Sequence, residues 1–371
     1  MSQLGSAAGK RNYGIDLLKM LSMQMIVVLH VLGVGGILGR LEVLSPQYEA
    51  MWLLEVACFC GVNCFAIASG YLMVDSRFRY SRLMSIWLQV VYYMAGITLA
   101  FAVVFPDTVG FDQWRWAFMP VTTVRYWYFT AYFAMYFFIP FFNKLIDAGG
   151  KKTLQRLILS GVIVFIGLTY IARDDIFRLH GGYSFVWLSL LYFIGAYFKR
   201  WPIKVRIKPQ MYFLGYAVCV VITWLSKLLL QLRNPASDGG ILINYISPTM
   251  LMAALCLFLG FISMDIRSKG AIKIISFLSP ASFSVYLIHC QPLIWHYILP
   301  DRFAFAASLP IPVMAAAVLA IASGIYLSCS VFDRLRIWIF KASKVDDGCR
   351  KLEATLGRAG EKISRIIDQV L

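Results

Sequence analysis

The sequence predicts an all-α integral membrane protein with about ten transmembrane helices and with both termini in the cytoplasm. Of its 371 residues, 60% are hydrophobic and 15% are charged, whereas soluble proteins carry about 25% charged residues. The apolar residues form runs long enough to cross a hydrocarbon core of about 30 Å. Lysine and arginine concentrate in alternate connections between these runs, which is typical of multipass membrane proteins.

Ten apolar segments are predicted to cross the membrane, and they divide the chain into three parts. A short cytoplasmic segment covers 1–14, the membrane domain covers 15–333, and a basic cytoplasmic tail covers 334–371. Each apolar segment is long enough to span a bilayer, allowing for tilt. The predicted spans are 15–35, 50–73, 83–105, 125–142, 156–173, 183–199, 210–231, 243–263, 274–298 and 311–333.

The first apolar segment is predicted to be an uncleaved span. Lys10 and Arg11 precede it, as basic residues precede the apolar part of a signal peptide. The segment is nevertheless too long for a signal peptide, lacks a clear small-residue cleavage site and contains Lys19.

The net charge of +16 is interpreted as an orientation signal and not as a nucleic-acid surface. Of the 35 lysines and arginines, 26 fall in the connections on one side of the predicted membrane and seven fall on the other. Basic residues favour the cytoplasmic side, where they also contact lipid headgroups. The predicted partners therefore include membrane lipids and exclude nucleic acid.

Two further patterns concern the surface of the protein. In the tail, Leu352, Leu356, Ile363 and Ile366 follow a near-helical spacing, which predicts an amphipathic helix on the membrane or on the protein. The aromatic residues Trp114, Trp116 and those of the run YWYF at 126–129 are interpreted as an interfacial belt that needs no ligand.

The first span carries two polar residues that share one helix face. Lys19 and His30 are eleven residues apart, which on a helix is about 16 Å of rise and a residual rotation of about 20°. Polar groups at such depth normally face the bundle interior or a wet cavity. Asp16, on the same helix, is a further pocket candidate. Taken singly, Lys19 is expected to pair with Asp16 or to snorkel, and His30 to bond a neighbouring helix. Together they indicate a candidate catalytic pair.

A second polar stripe lies on the ninth span. Ser282, Tyr286 and His289 follow i, i+4 and i+7 spacing, so we interpret Tyr286 and His289 as pocket candidates, with plain interhelical hydrogen bonds as the alternative. Asn63 in the second span is a further pocket candidate. Glu55 is either an interfacial acid or a pocket acid, and the sequence does not decide between them.

The first cytoplasmic connection contains Arg79 and Arg82, three residues apart. Paired guanidinium groups suit a phosphate ligand, although basic residues also occur here simply because the connection is cytoplasmic. No metal site is predicted. The cysteines of CFCGVNC at 58–64 are interpreted as packing residues, and the four histidines have no acidic partners at metal-ligand spacing.

Five stretches, taken in order, resemble the acyltransferase-3 family of multipass membrane acyltransferases. The spacing Lys19-x10-His30 resembles the Arg/Lys-x10-His signature of that family, and Arg79-x-x-Arg82 resembles its Arg-x-x-Arg pair. The other stretches are NCFAIASGYLMV at 63–74, WYFTAYFAMYFFIPFFN at 127–143 and SFSVYLIHCQPLIW at 282–295.

The resemblance implies an enzyme of the bacterial plasma membrane that transfers an acyl group, most often acetyl, from cytoplasmic acyl-CoA to a glycan. The acceptor would be a hydroxyl of a cell-surface or lipid-linked saccharide. His30 would be the general base, or would carry a transient acyl group. Lys19 would be the second member of the catalytic pair, and Arg79 and Arg82 would bind the donor. The fused SGNH-hydrolase-like domain of some relatives is not expected here. The alternative is a transporter without acyl-transfer activity, which would show inverted repeats.

Overall fold

A computed structural model describes the backbone of residues 11–203 and 207–370 and the side chains as far as residue 358, and these residues form helices and connections without any β-strand. The helices are α1 (Tyr13–Leu32), α2 (Pro46–Phe59), α3 (Gly61–Met73), α4 (Tyr80–Val104), α5 (Phe111–Phe118), α6 (Trp127–Val162), α7 (Thr169–Ala172), α8 (Phe185–Arg200), α9 (Pro209–Arg233), α10 (Pro248–Ile262), α11 (Lys269–Leu278), α12 (Ser282–His289), α13 (Ile311–Ala342) and α14 (Val345–Val370).

Seven helical segments within the described ranges are long and apolar enough to cross a membrane. The remaining apolar helices are shorter, with 16 residues in α8 and 15 in α10. The fold class is therefore confirmed as an all-α multipass membrane protein. Each of the ten predicted spans coincides with one of these helices or helix pairs.

The fourth and fifth predicted spans are two helical passes that are joined at Gly150, where the chain turns back. Gly150 has φ 67° and ψ −171°, a backbone conformation that glycine adopts at little cost. Contacts with α8 show that the two halves run in opposite directions, so the segment makes two passes. The contacting pairs are Phe138–Phe185 and Phe142–Tyr192 before the turn, and Gln155–Tyr197 and Gly161–Leu190 after it.

Helix α1 lies at the centre of the bundle and contacts α2, α3, α10, α11, α12 and α13. The crossing of α3 and α8 beside it depends on two glycines. A methyl group on Gly70 would lie 2.2 Å from the carbonyl oxygen of Tyr192, and one on Gly195 would lie 2.0 Å from that of Ile67. Small residues allow such close backbone approach between membrane helices, so both glycines are needed where α3 and α8 cross.

The connections gather at two opposite ends of the bundle. At one end, here called the inner end, Arg200 forms ion pairs with Asp75 and Asp147, which belong to two other basic connections. At the opposite, outer end, Asp301 donates its N–H to the carbonyl of Val34. The Arg200 ion pairs join three connections that the charge count assigns to one side. The assignment of the inner end to the cytoplasm is an expectation from the positive-inside rule.

The ninth predicted span is a broken helix. Helix α11 gives way to a 3-10 turn at Ser279–Ala281, α12 ends at His289, and a π-helical turn follows at Ile294–Ile298. At the second break, the side-chain oxygen of Gln291 accepts hydrogen bonds from two backbone N–H groups of that next turn. Irregular backbone at membrane depth is tolerated where protein buries it or where it lines a cavity. The break therefore places His289 and Cys290 at an irregular point inside the bundle.

The tail forms the predicted helix, α14, which packs on α4. Its contacts are polar as well as apolar, because Asp346 accepts a hydrogen bond from Ser85 and Glu353 accepts one from the backbone N–H of Tyr80. Cys349 is buried in this contact. The predicted apolar positions Leu352 and Leu356 are exposed, and Ile363 and Ile366 lie outside the residues whose side chains are described.

Candidate active site

Two histidines from different helices meet near the outer end of α1. Nδ1 of His30 lies 2.9 Å from Nε2 of His289, and Nδ1 of His289 lies 2.6 Å from the carbonyl oxygen of Val285. The edge of Trp295 packs against the His30 ring, with centroids 4.7 Å apart. The structure thus brings together two residues separated by 259 positions in the sequence.

These contacts define the tautomer of each neutral ring. A carbonyl oxygen only accepts hydrogen bonds, so Nδ1 of His289 carries the proton and its Nε2 is an acceptor. Nδ1 of His30 must then donate to that acceptor, which leaves Nε2 of His30 with a free lone pair. Among the described residues, no group forms a hydrogen bond with Nε2 of His30. A lone pair held in this way is suited to accept a proton from a hydroxyl group.

His30 lines two cavities, one toward each end of the bundle. The inner cavity has a volume of about 40 Å³, and the outer cavity has a volume of about 350 Å³. The predicted pocket residue Tyr286 and also Trp127 border both cavities. Further lining residues are Met23, Ile26, Val62, Phe65, Tyr128, Tyr245 and Phe283 on the inner side, and Val124, Arg125, Tyr183, Cys290, Pro292, Trp295 and His296 on the outer side.

Lys19 is connected to the inner cavity through an aromatic ring. Its Nζ lies 5.9 Å from the ring centroid of Phe65, which is itself part of the cavity lining. The expected ion pair of Lys19 with Asp16 is not formed. Asp16 instead pairs with Arg11 at 2.6 Å and accepts a hydrogen bond from Ser279 at 3.2 Å. Asp16 therefore fixes the inner end of α1 and leaves Lys19 facing the ring.

Arg79 and Arg82 are exposed at the inner end, where α4 begins. The carboxylate of Glu353 lies beside them. A hydrogen bond with the hydroxyl of Ser81 lowers the pKa of the Glu353 carboxyl below its usual range, and the charge of Arg79 contributes in the same direction. Both guanidinium groups remain accessible, and a carboxylate already binds at the start of this helix. The inner end therefore favours an anionic ligand.

Asn63, predicted as a pocket residue, does not line either cavity. Its side chain donates to the carbonyl of Tyr245 at 2.8 Å and accepts from Nε1 of Trp187 at 3.0 Å. Ser282 likewise bonds the hydroxyl of Tyr326 at 2.9 Å. Both side chains connect helices, and Asn63 acts on the site only by holding Tyr245, which belongs to the cavity lining.

Several residues of the site were not predicted from the sequence. The interpretation of the 126–129 aromatics as an interfacial belt is wrong, because Tyr126 and Tyr128 are buried and Trp127 lies between the two cavities. Cys290 was not singled out, although its place directly after His289 was a signal. Arg125, which stacks 3.9 Å from the ring of Trp116 at the outer cavity, was counted only as an outer charge.

The same site contains three atoms able to hold a metal ion. The imidazole nitrogens of His30 and His289 and the sulfur of Cys290 lie within 4.8 Å of one another. No metal site was predicted, because the histidines have no acidic partners at metal-ligand spacing. Spacing along the chain does not show that a thiol lies beside two imidazoles from different helices.

Comparison with known proteins gives a single result. A family model described as an acyltransferase domain matches residues 12–332. No curated protein and no solved structure matches the chain. The matched residues contain the two histidines, the lysine and the arginine pair described above. Because the match covers well over half of the sequence, the chain belongs to the acyltransferase-3 family of membrane acyltransferases.

Proposed function

We propose that the protein transfers an acetyl group from cytoplasmic acetyl-CoA to a hydroxyl group of a cell-surface or lipid-linked glycan in a bacterial plasma membrane. The observation that carries this proposal is the free Nε2 of His30 between a cavity on its inner side and a cavity on its outer side. A donor and an acceptor approaching from the two ends would meet at this atom.

In the proposed step, Nε2 of His30 accepts the proton of the acceptor hydroxyl while the oxygen attacks the thioester carbonyl. The C–S bond then breaks, and the proton passes from His30 to the departing thiolate of CoA. The hydrogen bond from Nδ1 of His30 to His289 holds the ring and stabilises its transient positive charge. General base catalysis of this kind contributes about 10²- to 10⁴-fold to the rate.

The donor is proposed to enter from the inner end. Arg79 and Arg82 would bind the phosphates of the nucleotide, because guanidinium groups match phosphate geometry. The pantetheine arm would rise along α1 past Lys19, over a height of about 16 Å. Lys19 and Phe65 lead to the inner cavity, so the thioester would reach His30 from that side.

The acceptor is proposed to enter from the outer end. The outer cavity of about 350 Å³ has aromatic walls formed by Trp127, Tyr183 and Trp295, with Arg125 among its polar groups. Small-molecule sites combine such apolar and aromatic surfaces with a few polar groups that fix orientation. A sugar ring with an apolar face and hydroxyl edges fits this description, and Arg125 favours an acceptor that carries a phosphate or carboxylate.

The experiment that tests the proposal is transfer of labelled acetyl from acetyl-CoA to the envelope glycans of a host that expresses the full chain, followed by mass spectrometry. His30→Ala should abolish transfer while the protein remains folded in the membrane. The control is His180→Ala, since His180 is exposed in an outer turn away from both cavities. Acetylation that persists in His30→Ala would overturn the proposal.

A further inference from the structure

We propose that the floor of the outer cavity binds a soft divalent metal ion such as Zn²⁺, with His30, His289 and Cys290 as its three protein ligands. The fourth coordination position would face the cavity, where a water molecule can occupy it. Zinc binds imidazole and thiolate ligands, and a site with three protein ligands leaves its fourth position open to water.

The distances between the ligand atoms carry this proposal. The two imidazole nitrogens are 2.9 Å apart, and the sulfur of Cys290 lies 3.3 Å from Nε2 of His289 and 3.6 Å from Nδ1 of His30. Zinc bonds of about 2.0–2.1 Å to nitrogen and about 2.3 Å to sulfur place tetrahedral ligand atoms about 3.4 Å and about 3.6 Å apart. The three atoms thus need to move by no more than about half an ångström.

The orientation of His289 is already that of a metal ligand. Its Nδ1–H donates to the carbonyl of Val285 at 2.6 Å, so the lone pair on Nε2 points to the other two ligands. Metal-bound histidines usually donate their second N–H to a carbonyl or carboxylate, which fixes the tautomer and the ring.

Metal binding would change where the protons lie on the other two ligands, His30 and Cys290. His30 would move its proton from Nδ1 to Nε2 and bind through Nδ1. Cys290 would lose its thiol proton to solvent, so one proton is released for each ion bound.

The surroundings favour a soft ion and give it a path. Cys290 and His30 both line the outer cavity, whose other lining residues include no aspartate or glutamate. Thiolate and imidazole ligands select Zn²⁺ over Mg²⁺ and Ca²⁺, which prefer oxygen ligands.

The expected consequence rests on the proposed function. An ion bound at Nδ1 leaves Nε2 of His30 protonated and removes the lone pair that serves as the base. Zinc should therefore inhibit acyl transfer reversibly, and a chelator should restore the activity.

The direct test uses Co²⁺ as a spectroscopic probe with the full-length protein in detergent, purified through a tag without histidines. The wild type should bind one Co²⁺ per chain, with a sulfur-to-cobalt charge-transfer band and intense tetrahedral bands that Zn²⁺ abolishes. Cys290→Ser, which is nearly isosteric, should lose the charge-transfer band and weaken Zn²⁺ binding at least tenfold, and His289→Gln should also weaken it.

The matched control is Cys256→Ser, because Cys256 is a half-buried thiol of α10 that is not one of the three ligands. Its spectrum should equal that of the wild type. A charge-transfer band that survives in Cys290→Ser, or a wild type that binds no Co²⁺, would overturn the metal site. Because this readout does not use acyl transfer, metal binding without enzymatic activity would count against the proposed function alone.

Discussion

His289 holds His30 in a single tautomer. Nδ1 of His289 donates to Val285, and its Nε2, 2.9 Å from Nδ1 of His30, accepts from that ring. A catalytic imidazole needs such a partner, since a ring without one can present either a proton or a lone pair at the same nitrogen. In the proposed mechanism, a second histidine stands where many hydrolytic sites use a carboxylate, so the catalytic ring needs no anionic partner inside the membrane.

We expect His289→Ala to lower kcat about 10- to 100-fold, the usual effect of losing a group that orients a functional histidine. KM for the donor should stay within about twofold, because the two arginines proposed to bind it lie at the other end. His289→Gln should recover part of kcat, since its amide oxygen can accept from Nδ1 of His30. Steady-state kinetics of the purified variants would check this. A higher KM with an unchanged kcat would contradict the positioning role of His289.

Arg79→Ala and Arg82→Ala should each raise KM for acetyl-CoA about tenfold, which corresponds to about 1.4 kcal/mol of binding free energy. The reason is the loss of one charge-assisted contact to a phosphate, and the effect should shrink at high salt because both side chains are exposed. Arg77→Ala, in the same connection, is the control and should leave KM unchanged. Equal effects of all three substitutions would indicate a general charge effect and no specific site.

Substitution of Glu353 by glutamine should loosen α14 from α4, because the amide is a weaker acceptor for the Tyr80 N–H at 2.7 Å. Buried Cys349 reports the change, so maleimide labelling of this thiol should become faster. Asp347→Asn is the matched control, since Asp347 pairs with Arg350 within α14 itself. Unchanged labelling in Glu353→Gln would show that this contact does not hold the helix.

The same contact predicts a pH dependence. The pKa of Glu353 is lowered in the folded protein. The contact therefore stabilises the docking of α14 fully above the ordinary pKa of glutamate, about 4.3. This stabilisation is lost as the pH falls through the lowered pKa. Hydrogen exchange of the α14 amides should therefore rise, relative to the intrinsic rate, at the acidic end of that range. Exchange should not respond to pH in this way in Glu353→Gln.

Gly195→Ala should destabilise the bundle by about 1–3 kcal/mol, as overpacking does in tight cores, because the added methyl would lie 2.0 Å from the Ile67 carbonyl. Thermal unfolding in detergent would measure the effect. Gly96→Ala is the control, since nothing lies within 4 Å of the corresponding methyl position and alanine favours the helix. A variant at Gly195 as stable as the wild type would mean that α3 and α8 can separate freely.

The sequence predicted the apolar helices and the common face of Lys19 and His30, because both follow from local periodicity. It also predicted separate fourth and fifth spans but not the abrupt turn at Gly150, since the conformation of that residue depends on how both halves pack against α8. The expected ion pair between Asp16 and Lys19 is not formed for a similar reason. Arg11 and Ser279 compete for its oxygens, and one of those partners is distant in sequence.

The site itself required tertiary information. His289 appeared as a pocket candidate on its own stripe, but its pairing with His30 depends on how α12 packs against α1. Cys290 joins the pair only because α12 ends at His289 and the chain bends there. Trp127 resembled an interfacial aromatic because composition alone does not distinguish a ring that faces lipid from one that faces a cavity.

The inner cavity is small, so its walls limit the size of an acyl group that could lie beside His30. Its volume is only about 40 Å³, and Met23, Phe65 and Phe283 are among its walls. On the proposed donor path, these walls should favour the shortest thioesters. Replacing one of them with a smaller side chain should then widen the range of acyl groups that the enzyme transfers.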